Sequence, residues 1–188
     1  MDGASYRLNG DPTWPLPLRR NTNWTSIVWL QGRRMGKINL GRVVLGGIVA
    51  GIVIDIFEGV LNGVILEKQW ADTMTALGKS GTISINQIVA FNVWGLIAGI
   101  LMVWLYAAMR PRLGAGPKTA MCAGLVIWVT VYALGGAAPV FLHLIPVGLI
   151  AIALTVGLVE AMIAGVAGAY FYKESDVVAG IKSSAARA

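Results

Sequence analysis

The chain has 188 residues, of which 56% are apolar and only 13% charged, against roughly 25% charged in an ordinary soluble domain. That balance excludes a soluble globule and points to one membrane domain. The net charge of +6 does not indicate nucleic acid, because the basic residues are divided among segments that flank apolar runs, as in a chain oriented in a bilayer.

Residues 1–37 are polar, with three prolines by position 17 and with Trp14, Trp24 and Trp29. They read as an N-terminal cytoplasmic arm. Two readings stand beside each other: a disordered tail, or residues ahead of a natural start at Met35, on the one hand, and on the other an extended arm that docks on other membrane-protein subunits with the tryptophans as anchors. The first apolar run begins too late and is too long for a secretory signal.

Four segments then carry the roughly 20 apolar residues that cross a ~30 Å hydrocarbon layer as a helix: about 43–66, 85–109, 119–138 and 146–172. Arg110-Pro111-Arg112 is expected to end the second span, since proline disfavours helix at the residue before it. Pro139 and Pro146 are expected to bracket a short turn holding His143, and residues 67–84 a loop. Trp70 lies near a span end, where interfacial aromatics are expected. The predicted fold is an all-α, four-transmembrane-helix bundle over 38–174, followed by a tail at 175–188. Thirteen of the fifteen Lys and Arg residues lie before the first span, between the second and third, or after the fourth, with only Lys68 and Lys79 on the other side. Both termini are therefore expected in the cytoplasm.

On the first span, Gly47, Gly51, Asp55, Glu58, Gly59 and Asn62 fall on one side at helical period, and Val49, Val53, Phe57, Val60 and Val64 on the other. The small and polar side is the expected helix seam, since small residues let backbones approach; the valine side is the expected lipid face. The second span repeats the pattern with Asn92, Gly95, Gly99 and Tyr106, the fourth with Ala153, Gly157, Glu160, Ala164 and Ala167.

The acids are the unusual feature. At 1.5 Å per residue, Asp55 lies about 18 Å from one end of its span and Glu160 about 21 Å from the opposite end of its own, both near the midplane. Asp55, Glu58, Asn62, Asn92 and Glu160 are expected to form one buried polar constellation, a proton or cation site. No Lys or Arg lies inside the spans to pair with the acids, and an unpaired carboxylate in hydrocarbon is very costly. Protonation, a shared cation, a water-filled cleft or a partner's cation would each neutralise them. The lone His143 and Cys122 are too few for a transition-metal centre. The spans contain no Ser for a hydrolase triad, and no Gly-Lys-Ser/Thr phosphate loop is present. The expectation is a protein without catalytic residues, metal or cofactor.

LNGVILEKQWADTMTALGK, NVWGLIAGILMVWLYAAMRP, a helix beginning GPKTAMCAGLVIW, and GLVEAMIAGVAGAYFYKE together resemble a group of small bacterial four-helix membrane proteins of unknown function. In that group a basic and aromatic stretch follows the first helix; here Lys68, Trp70 and Gly78 stand there. The resemblance covers about residues 40–174 and implies a bacterial inner-membrane location and the four-helix architecture, with no activity attached; the arm departs from it. The chain is also similar to small multidrug-resistance transporters in having four helices and a Glu, Glu58, inside the first; no residue roles follow. The functional expectation is an accessory or structural subunit of a larger membrane complex, respiratory, photosynthetic or transport. The alternative is a small proton- or cation-coupled transporter working through Asp55, Glu58 and Glu160.

Overall fold

The computed structural model describes residues 38–173. The predicted arm, with Trp14, Trp24 and Trp29, and the predicted tail lie outside the described residues.

Among the described residues the chain is helical, without strands. Its helices are α1 (Leu40–Ile65), α2 (Glu67–Ala76), α3 (Ile85–Leu113), α4 (Pro117–Phe141) and α5 (Val147–Phe171); all but α2 have the length and hydropathy to cross a membrane. Local chemistry sets their starts. The Asn39 side chain caps α1 by accepting from the Arg42 N–H at 3.2 Å. Ser84 and Gln87 form a capping box on α3, the Gln87 side chain accepting from the Ser84 N–H at 2.8 Å. Pro117 occupies the first turn of α4, where a missing N–H costs nothing.

Two boundaries differ from expectation. Helix α3 runs through Pro111 to Leu113, and α4 runs through Pro139 to Phe141. Each proline lies in the last turn, where several carbonyls lack intrahelical donors in any case, so one more lost bond does not stop the helix. The expected loop at 67–84 also contains α2. A search for long apolar runs passes over a ten-residue polar helix, which is held here by the half-buried Trp70 and the buried Thr73.

The four long helices pack as a bundle: α1 lies against α3 and α5, α4 against α5 and α3, and α3 and α5 also touch. Glycine sets the closest approach. A methyl group on Gly51 would come within 2.6 Å of Leu96 Cα, and one on Gly99 would collide with the Gly47 and Gly51 backbone. Helix α1 in fact has two seams, Gly47 and Gly51 toward α3, Gly46 and Ala50 toward Gly168 of α5. The second seam corrects the predicted lipid face. Val44, Ile48, Ile52, Ile56, Val60 and Val64 point outward, whereas Val49, Val53 and Phe57 are half-buried and Val53 packs on the core.

The core is uneven along the bundle. Most of its buried apolar residues, among them Ala50, Ile54, Met102, Val103, Ala123 and Ala161, lie in the half that carries both ends of the described chain. There the Asn39 N–H donates to the Tyr172 hydroxyl at 3.4 Å, and the Arg110 guanidinium stands over the Tyr106 and Tyr172 rings at 5.7 and 5.3 Å. The opposite half has a smaller cluster, Leu61, Leu66 and Leu149, with Trp70, Ile145 and Val156 packed on it. In that half α3 stands away from its neighbours: every residue from 85 to 94 is exposed.

Candidate functional site: a buried carboxyl cluster

The site sits where the two halves meet. Glu160, on α5, is 0% exposed. Its Oε1 accepts a hydrogen bond from the Tyr132 hydroxyl at 2.6 Å, while its Oε2 is buried and accepts none. Tyr132 reaches it from α4 because its ring lies against Gly157, one turn before Glu160; a Cβ on Gly157 would come within 2.8 Å of Tyr132 Cδ1.

The backbone departs from α-helix on the Tyr132 side of this contact and again on α1. Residues Trp128–Ala133 of α4 and Leu61–Ile65 of α1 are π-helical. Such a wide turn is rare and often marks a functional position. At 3.6 residues per turn, one inserted residue rotates the downstream side chains by about 100°, so a π-turn re-aims a side chain without bending the span away.

Glu58 and Asn62 lie one turn apart on α1, and the Asn62 amide donates to Glu58 Oε2. Asn62 Oδ1 in turn accepts from the Trp70 indole N–H at 2.8 Å. The Tyr132 hydroxyl faces Glu58 as well as Glu160. Asp55, half-buried one turn before Glu58, is close enough to repel both glutamates when charged, and its Oδ1 lies against Gly95 of α3, where any Cβ would displace it.

The structure thus brings Asp55, Glu58, Asn62 and Glu160 together and leaves Asn92 out. Asn92 is exposed, and its amide donates to the Ile88 carbonyl of its own helix at 2.8 Å. Depth along a span is readable from residue count, but the rotation of a helix that has left the bundle is not. Two residues of the cluster are not assigned to it by sequence. Trp70 reads there as an interfacial aromatic, and Tyr132 has no role. A signal does exist for Tyr132, since a tyrosine in mid-span must find a partner for its hydroxyl and Glu160 lies at matching depth.

Chemically the cluster is three carboxyls, a phenol and an amide, with no Lys, Arg or His beside them among the described residues. Helix α1 beyond Arg42, α3 before Arg110, α4 after Lys118 and all of α5 lack Lys and Arg. Among the described residues no three His, Cys, Asp or Glu side chains are placed to hold a metal ion. The lone Cys122 is exposed on α4, away from the acids. What this arrangement can do is hold a proton on a carboxyl, with a hydroxyl between two acids to accept or donate it.

No protein-family model, no curated protein and no solved structure matches this chain.

Proposed function

We propose that the protein is a small proton-linked transporter of a bacterial inner membrane, with the Glu160–Tyr132–Glu58 cluster as its proton site and Asp55 as the acid that sets its charge. One observation carries this reading: Glu160 is fully buried at mid-span with one oxygen that accepts no hydrogen bond, and the basic residues of the spans, Arg42, Arg110, Arg112 and Lys118, stand only at the span ends. A charged carboxylate there would be strongly disfavoured, so the resting group is the neutral acid, and the free oxygen is the place where its proton is gained and lost. Intramembrane acids of this kind are the usual material of proton relays. The excess of Lys and Arg on the side of the chain ends supports a cytoplasmic location for both.

The accessory-subunit reading rests on the arm with Trp14, Trp24 and Trp29, which lies outside the described residues, and on neutral loops and the absence of reactive motifs, which name no role; the carboxyl cluster is the more specific basis for a proposal. The test is proton flux into proteoliposomes under an imposed potential, read with an entrapped pH dye. Glu160→Gln and Glu58→Gln should each reduce the flux at least tenfold while the protein remains folded by circular dichroism. Full flux in both variants would overturn the reading.

A further inference from the structure

Glu160 lies between two apolar seals that are unequally packed. Toward the chain ends the seal is several helical turns of close packing, represented by Ala50, Met102 and Ala164, all 0% exposed. Toward α2 it is a looser layer with fewer buried side chains, Leu61, Leu66 and Leu149, spread over several turns with Trp70, Ile145 and Val156 against them. Beyond that layer a cleft of about 650 Å³ opens between α2 and the turn before α5, and Ile145 lines it from the other side, with Thr73, His143 and Pro146. Among the described residues Trp70 both packs on that looser layer and is hydrogen-bonded into the cluster, through Asn62 to Glu58.

We propose that the cluster exchanges its proton with the aqueous phase on the α2 side alone, and that Trp70 is the gate, a positioning residue whose indole N–H holds Asn62 and whose ring closes the looser seal. This rests on the proton-site reading above. The groups that face Glu160 are Glu58 and Asp55 from α1 and Tyr132 from α4; α3 presents no titratable side chain over 95–103, the stretch that packs into the bundle. The way out therefore runs along α1 past Asn62. It does not run along α3, nor through the Gly47–Gly51 seam where backbone meets backbone.

The path is tested by thiol labelling in proteoliposomes with a membrane-impermeant sulfonated maleimide, in a Cys122→Ala background. Lys79→Cys and Arg112→Cys report which side is which. Leu149→Cys, in the looser seal, should label slowly and only from the side that labels Lys79→Cys. Trp70→Ala should raise that rate at least tenfold. Trp70→Phe, which keeps the ring and loses the N–H, should give a smaller rise and serves if Trp70→Ala does not fold. Met102→Cys, in the closely packed seal, should not label from either side. Labelling of Leu149→Cys from the Arg112→Cys side, or a rate indifferent to both Trp70 variants, would overturn the gate. The infrared carboxyl band assigned by Glu160→Gln separates the two ideas. Its absence between pH 5 and pH 9 would sink the proton site whatever the labelling shows. Its presence together with wrong-sided labelling would sink the gate alone.

Discussion

The half of the bundle that carries the chain ends and the half that carries α2 are made of much the same apolar residues, yet they pack differently. In the first, paired small residues bring α1, α3 and α5 within backbone contact, and side chains such as Met102 and Val103 are wholly enclosed. In the second, α3 stands apart, Gly59 and Gly63 of α1 touch nothing, and two π-turns interrupt the helices. Glycine in a membrane helix has two different consequences here. Where a partner backbone arrives it is a seam; where none does it is only a weak point of the helix. The polar cluster lies at the border, held from one side by close packing and from the other by hydrogen bonds.

That contrast can be broken by substitution. The largest effect is expected for Gly99→Val, which drives two methyl-bearing branches into the Gly47 and Gly51 backbone. Overpacking of this kind costs about 3 kcal/mol or more, and the variant should lose a detergent-stable fold, read as a large drop in the temperature at which it aggregates. A stability equal to that of the native chain would mean that α1 and α3 do not meet at this seam.

Tyr132→Phe should have a middle effect. It removes the hydroxyl from Glu160 without changing the ring that packs on Gly157, and a buried acceptor left without its donor costs about 1–3 kcal/mol. The same change should lower proton flux by more than its stability loss accounts for, since the hydroxyl lies between two acids; flux unaltered in a stable Tyr132→Phe protein would remove Tyr132 from the site. The smallest effect is expected for Gly59→Ala. With nothing near its Cα, the added methyl group should stabilise α1 by up to ~1 kcal/mol through helix propensity. A marked loss of stability there would show that the α2-side half is as closely packed as the other, and the contrast between the halves would disappear.

Much of the site is legible before any coordinates. Glu58, Asn62 and Asp55 share a face because they sit three or four residues apart on one helix, and Glu160 reaches the same level because depth follows from the rise per residue. Legibility ends where a periodic rule meets a local exception. Asn92 has the right depth, but every residue of the stretch of α3 that holds it is exposed, so depth alone does not turn it inward. Tyr132 lies within a π-turn, so a regular 3.6-residue count misplaces its side chain. Trp70 belongs to a polar helix that hydropathy does not register.

Composition and periodicity alone were enough for four apolar helices, for the small-residue seams and for acids without counter-charges, because each follows from bilayer thickness, helix rise and the high cost of polar groups in hydrocarbon. Long-range packing settled the rest: which glycines meet a neighbour, that α3 departs from the bundle over 85–94, that Tyr132 and not Asn92 completes the cluster, and that one side of Glu160 is more loosely packed than the other. Those outcomes depend on helix rotation and local winding, which arise from contacts between residues far apart in the chain and leave no period of their own along it.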